Sequence, residues 1–109
     1  MNISLQGSDS PITQFSDQAV VAGPGATSSV QLTATKAACS MVEIQALETN
    51  VQPMAIGGSG VRLGSSPAFA ARVGVVIYPG SSKLIACPDP SLLYISGLAT
   101  DSVTWTIYK

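Results

Sequence analysis

Val73-Gly74-Val75-Val76-Ile77-Tyr78, then Pro79-Gly80-Ser81-Ser82, then Lys83-Leu84-Ile85-Ala86-Cys87: this stretch decides the fold. Two short runs of β-branched and large apolar residues flank a turn built on Pro and Gly. A second break, Pro88-Asp89-Pro90, leads to Leu92-Leu93-Tyr94-Ile95, and the chain closes on Ser102-Val103-Thr104-Trp105-Thr106-Ile107-Tyr108. Short strands at this spacing, with no helical period between them, predict an all-β fold. The expected form is an antiparallel β-sandwich or a jelly-roll-like barrel, with an extended N-terminal segment. The same segment holds almost no side chains capable of chemistry, so function is expected to lie in the surface.

Working upstream, apolar and polar residues alternate in Val30-Gln31-Leu32-Thr33-Ala34-Thr35, which places Val30, Leu32 and Ala34 on the inner face. Val42, Ile44 and Ala46 follow the same rule, with Glu43 and Gln45 outward. The connection Lys36-Ala37-Ala38-Cys39 is too short for a parallel crossover, so these two strands are antiparallel or pass between sheets. Glu48-Thr49-Asn50 reads as a turn, Met54-Ala55-Ile56 as a brief strand, and residues 61–71 as a loop packing Phe69. In the closing strand Val103, Trp105 and Ile107 share one face, and Trp105 is the largest single contribution to the expected core.

Residues 1–28 differ from the rest and are read as an N-terminal arm or peripheral strand, with residues 29–109 forming the sandwich domain. Gln18-Ala19-Val20-Val21-Ala22 is a strand candidate, and Gly23-Pro24-Gly25-Ala26-Thr27-Ser28 has the composition of a flexible link. The arm either completes the sandwich or lies on a neighbouring molecule.

The chain has 109 residues, enough for one core. Apolar residues make up 46% of it but charged residues only 10%, against a usual share of roughly a quarter. Ser and Thr supply most of the polar skin, and little charge repulsion keeps copies apart. Such a surface suits partial coverage by copies of itself or by a partner. The five cations Lys36, Arg62, Arg72, Lys83 and Lys109 are scattered, which argues against tracking a phosphate backbone, so no nucleic acid is expected as ligand. No apolar run reaches transmembrane length, so no membrane partner is expected. The opening Met1-Asn2-Ile3-Ser4-Leu5-Gln6 lacks the regions of a signal peptide, and synthesis in a cytosol is expected.

Chemistry is sparse. With no His in the chain, neither a Ser–His–acid triad nor a Cys–His pair can be assembled. No Ser-x-x-Lys spacing occurs. The acids Asp9, Asp17, Glu43, Glu48, Asp89 and Asp101 fall mostly in turns and termini, where carboxylates are solvated, and none are adjacent as a metal site would want. Gly57-Gly58-Ser59-Gly60-Val61-Arg62-Leu63-Gly64 misses both the dinucleotide and the P-loop spacing, and its glycines are read as positive-φ turn residues. Cys39 and Cys87 belong to no C-x-x-C unit and are expected as reduced, compact hydrophobes, with a disulfide the alternative if they face each other across the sandwich. No enzyme, cofactor or metal is expected.

The order of phrases carries a resemblance: Leu32-Thr33-Ala34-Thr35, Cys39, Val42-Glu43-Ile44-Gln45-Ala46, Asn50, Met54-Ala55-Ile56-Gly57-Gly58-Ser59-Gly60-Val61, Gly74-Val75-Val76-Ile77-Tyr78-Pro79-Gly80, Leu93-Tyr94-Ile95-Ser96-Gly97 and Val103-Thr104-Trp105-Thr106-Ile107-Tyr108. It resembles the small all-β virion proteins of tailed bacteriophages, of the head-decoration, cement or head-fibre type. Residues 61–72 depart from the pattern by their length. The resemblance implies an oligomeric sandwich or jelly roll on the capsid exterior, made in the bacterial cytoplasm, and transfers no catalytic residue. It implies two partners, the chain itself (a trimer ahead of a dimer) and the major capsid protein. Ile3, Leu5 and Phe15 are the expected capsid contacts. A second expectation is a head-fibre or tail-associated domain that stacks Tyr78, Tyr94 or Tyr108 on host glycans; a cellular adhesion or shell subunit ranks last.

Overall fold

The computed structural model describes residues 20–64 and 72–108. Among the described residues there are eight strands: β1 (Val20–Ala22), β2 (Gly25–Gln31), β3 (Met41–Ala46), β4 (Met54–Gly57), β5 (Val75–Ile77), β6 (Ser82–Ala86), β7 (Tyr94–Gly97) and β8 (Ser102–Tyr108). Two four-stranded antiparallel sheets result, sheet A in the order β1-β8-β3-β6 and sheet B in the order β2-β7-β4-β5. Every connection except β4–β5 passes from one sheet to the other. The molecule is a β-sandwich.

The alternation in β3 and β8 sets the core. Val42, Ile44 and Ala46 of β3 and Val103 and Ile107 of β8 are fully buried, and Trp105 is 4% exposed. In register, Ile44 pairs with Trp105 and Val42 with Ile107, so the two central strands of sheet A build one continuous apolar face. Sheet B answers with Met54, Ile56, Ile77 and Ile95 in the same cluster. Each large buried side chain contributes ~1.5–3 kcal/mol relative to exposure.

β2 differs from the sequence-based expectation. β2 begins at Gly25, inside the stretch read as a flexible link, and it runs through the boundary drawn between residues 28 and 29. Its register shifts between Gly25 and Val30, a bulge that a Gly-Ala-Thr-Ser-Ser run accommodates because it imposes no strong inward pattern. Val30 is half-buried against the core and Leu32 is buried, but Ala34 is exposed. The chain leaves sheet B after Leu32, whose N–H donates to Leu93 O at 2.8 Å, and turns where Thr35 N–H donates to Thr33 Oγ1 at 3.1 Å. The 33–40 connection then crosses to sheet A, one of the two paths its length allowed.

β1 pairs with β8 as an integral edge strand, with Val21 opposite Val103. Gly23 makes the turn between β1 and β2 workable. A Cβ there would lie 2.3 Å from Leu98 O and 2.6 Å from Gly97 O. Its N–H donates to Asp101 O at 2.9 Å, which ties the turn to the start of β8.

Sheet B also buries part of its outer face. Residues 61–64 cross it, and Val61, Leu63 and Ala55 form a second small cluster with Ala26 and Tyr94 packed against them. In the glycine run preceding this crossing, Gly57, Gly58 and Gly60 lie outside the positive-φ region, and Gly64 alone adopts it, at 91°. The tight turn there is closed by Val61 N–H donating to Gly58 O at 3.0 Å. Phe69, expected to pack under this loop, lies outside the described residues.

Candidate interaction surface

The polar side chains that sequence reasoning offered for chemistry are spent on the backbone. Asp101 is the clearest departure from expectation: read as a solvated turn acid, it is 1% exposed. Its carboxylate accepts Val51 N–H at 2.8 Å and Gln52 N–H at 3.0 Å, fastening the β3–β4 loop to the β7–β8 turn. Asn50 works beside it, donating through Nδ2 to Ser102 O at 2.8 Å and accepting Ser102 N–H on Oδ1 at 2.9 Å. Asp89 caps a short 3-10 turn, Pro90–Leu92, where the break Pro88-Asp89-Pro90 had been expected. Its carboxylate accepts Ser91 N–H at 2.9 Å and Ala37 N–H at 3.4 Å. Chiefly the Ser91 bond holds this carboxyl below its ordinary range, against a smaller opposing effect of burial.

Ser96, fully buried in β7, accepts Leu63 N–H at 3.0 Å and faces Gly25 O and Ala26 O at 3.2 and 3.3 Å. One hydroxyl thus joins β7, the crossing loop and the β2 bulge. Glu48 is exposed, and Asp9 and Asp17 lie outside the described residues. The Cys39 and Cys87 thiols donate to Cys87 O and Asp89 O, each at 3.1 Å. Among the described residues no three His, Cys, Asp or Glu side chains gather as a metal site.

What the surface does offer is apolar area. Six large hydrophobic residues stand out from it: Val51, Val73, Val75, Tyr78, Leu84 and Leu92, all more than half exposed. Two of them, Val75 and Leu84, line concavities. On the outer face of sheet A, Met41, Glu43, Leu84 and Tyr108 line a shallow dish. Register explains the grouping, since Met41 pairs with Tyr108 on one side and Ala86 on the other, and Glu43 pairs with Leu84. At its centre Tyr108 Oη donates to Glu43 Oε1 at 2.6 Å. This bond, then burial and the nearby negative charge, pushes the Tyr108 hydroxyl above its ordinary pKa.

A second apolar cleft opens along the side of the sandwich where β5 edges one sheet and β6 the other. Ile56, Val75, Leu84, Ile85 and Leu93 line it, with Lys83 at its rim. Leu84 belongs to both concavities, so the dish and the cleft form one continuous apolar strip.

The expected capsid contacts Ile3, Leu5 and Phe15 lie outside the described residues. Of the three tyrosines, Tyr78 is 61% exposed, Tyr94 packs against the outer cluster of sheet B, and Tyr108 belongs to the dish. Sequence reasoning missed the Met41–Leu84 strip because each residue sits in an unremarkable strand; only the pairing of β6 with β3 makes them neighbours. The signal that was available is the alternation in Ser82-Lys83-Leu84-Ile85-Ala86, which sets Leu84 opposite in face to the half-buried Ile85.

No protein-family model, no curated protein and no solved structure matches this chain. Among the described residues no helix is long and apolar enough to cross a membrane.

Proposed function

We propose that this chain is a structural virion protein, a decoration or cement component that binds and stabilises the major capsid shell of a tailed phage. The observation that carries the reading is the apolar strip through Met41, Leu84 and Val75 on a two-sheet block, two of whose four described acids, Asp89 and Asp101, hold its own backbone. A rigid scaffold with a sticky, nearly uncharged flank suits docking against other protein, where many modest contacts add through multivalency. Self-association into a closed ring, with a trimer ahead of a dimer, would cover part of this strip and match a symmetric point on a coat lattice. A jelly-roll winding fits the connections, nearly all of which cross between sheets. The protein is then made in the bacterial cytoplasm and mounted on the capsid exterior.

The test is composition of purified particles. Copies in fixed proportion to coat subunits, with particles lacking the protein breaking at lower temperature, support the cement role. A second reading, a head-fibre or tail-associated domain touching host glycans, draws on the open ring of Tyr78 beside the Gly80-Ser81-Ser82 turn. It predicts only a few copies per particle and full shell stability without them. Absence from particles rejects both.

A further inference from the structure

Each sheet leaves two strands at its edges, β1 and β6 in sheet A and β2 and β5 in sheet B. Free edges pair readily with another chain, and proteins blunt them by shortness, bulges or charge. β1 and β5 are three residues long, and β2 carries the register shift between Gly25 and Val30. β6 has only Lys83 to blunt it, and its five residues run in unbroken register, from Gln45↔Ser82 to Met41↔Ala86. Its backbone polar groups alternate between two sides. Just beyond the two ends of that register, Cys87 N–H donates to Ser40 O at 3.2 Å and Ala46 N–H to Ser81 O at 3.0 Å. Bonded and non-bonded pairs alternate along an antiparallel ladder, so Lys83 and Ile85 bond to β3. The N–H and C=O groups of Ser82, Leu84 and Ala86 therefore point to the open side, where no strand stands among the described residues. Apolar area lies on the same side. Val73, Val75, Tyr78 and Leu84, four of the six exposed large hydrophobic residues, belong to the segment that forms β5 and leads into β6.

We infer that the β6 edge pairs with β6 of a second copy, antiparallel about a two-fold axis at Leu84, joining two four-stranded A sheets into one continuous sheet. Three observations favour a copy over a foreign strand. Leu84 is the middle residue of β6, so pairing about it is self-complementary: Leu84 meets its own equivalent and Ser82 meets Ala86 of the second copy. Every outward N–H and C=O of the strand is then used. Secondly, the one charge on β6, Lys83, falls opposite Ile85 of the second copy and not opposite its own equivalent, and neither β5 nor β6 carries an acid. Thirdly, the same axis turns the two β5 edges towards each other, so Val75 and the cleft it shares with Leu84 and Ile85 are covered by like surface. Identical edges close after two copies, so this edge makes a dimer, and a trimer has to form through another face. The inference concerns the protein alone and does not rest on the virion reading.

The test combines analytical ultracentrifugation of the full chain over a concentration series with amide hydrogen exchange at the same concentrations. A dimer is expected, with the Ser82, Leu84 and Ala86 amides gaining protection as it forms while those of Lys83 and Ile85, already bonded to β3, change little. Leu84→Lys, at a position 57% exposed, should leave the sandwich folded and weaken the dimer at least ~tenfold, because two like charges then meet on the axis. Val51→Lys, at an exposed residue of the β3–β4 loop, should leave the dimer unchanged and so separates edge pairing from general stickiness. A chain that stays monomeric at millimolar concentration overturns the inference. So does any oligomer in which the three outward amides exchange as they do in the monomer, or one that survives Leu84→Lys. Protection of those amides that is already complete in the monomer overturns it as well, since the edge is then covered from within the chain. None of these failures touches the particle-composition test of the virion role.

Discussion

Asn50 and Ser102 exchange two hydrogen bonds, the Asn50 side-chain amide standing in for the backbone of a paired strand residue. Nδ2 donates to Ser102 O at 2.8 Å and Oδ1 accepts Ser102 N–H at 2.9 Å. Both partners of the amide are thereby used, and the β3–β4 loop is held at the point where β8 begins. Asn50 is 8% exposed, so an alternative water partner is hard to supply.

Asn50→Ala should therefore lower unfolding stability by about 1–3 kcal/mol, the cost of leaving the Ser102 N–H and C=O without their partners. For a domain of this size that corresponds to a fall in melting temperature of roughly 5 °C per kcal/mol. Asn50→Asp should be nearly as damaging, because an oxygen would face the Ser102 carbonyl. Urea unfolding of both variants gives the check.

Asp101→Ala should destabilise by about 2–4 kcal/mol, because two backbone N–H groups, those of Val51 and Gln52, lose a charged acceptor together. Asn50 and Asp101 serve the same loop, so the double variant should lose less than the sum of the singles. Amide hydrogen exchange should show Val51 and Gln52 as the first groups to open in Asp101→Ala.

Titration of Tyr108 should place its ionisation above the ordinary tyrosine value of about 10, and Glu43→Gln should return it towards that value. The sign of the linkage follows. A raised pKa in the folded state means the neutral hydroxyl is favoured by folding, so this contribution is complete below about pH 10 and fades as the pH rises past the folded value. Asp89 behaves oppositely. Its lowered pKa contributes stability above about pH 4 that is lost on further acidification, and Asp89→Ala should remove that acid-dependent part. Ultraviolet absorbance for the phenol and acid unfolding curves for the carboxyl read the two effects separately.

Trp105→Phe should cost less than its volume suggests. Trp105 is 4% exposed and among the described residues its Nε1 has no hydrogen-bond partner, so the wild-type ring already carries an unsatisfied buried donor. Removing that donor offsets part of the cavity left by the smaller ring, and a net loss under about 2 kcal/mol is expected. A loss typical of full truncation, ~3–5 kcal/mol, would contradict this account.

Gly23→Ala should destabilise by about 1–3 kcal/mol, since a methyl group would collide with the backbone oxygens of Leu98 and Gly97. The damage should be local, with exchange protection falling in β1 before β3. By the same logic a truncation meant to remove the N-terminal segment must stop before Val20. Deleting residues 1–17 should leave the sandwich folded, whereas deletion through Gly23 removes an edge strand and its turn.

The central strands were legible because burial there obeys a two-residue period: Val42, Ile44 and Ala46, or Val103, Trp105 and Ile107, announce their inner face without help from the rest of the chain. β2 was not legible beyond Val30 and Leu32. Its Gly-Ala-Thr-Ser-Ser core has no apolar period, and what holds it is pairing with β7 and the Ser96 hydroxyl, both supplied from about 70 residues away. The polar clamps were misread for a related reason. Asp101 sits in a turn by local sequence, but the loop it grips follows the neighbouring strand β3, about 50 residues earlier in the chain. The apolar dish was invisible because it is a property of register between β3, β6 and β8 and not of any one of them.

β8 is the hub of sheet A, flanked on one side by β1 and on the other by β3. Those two strands are translated long before their shared partner. Until Ser102–Tyr108 clears the ribosome neither has this partner, so sheet A is completed only when the last strand is made, and closure of the sandwich is expected late in synthesis.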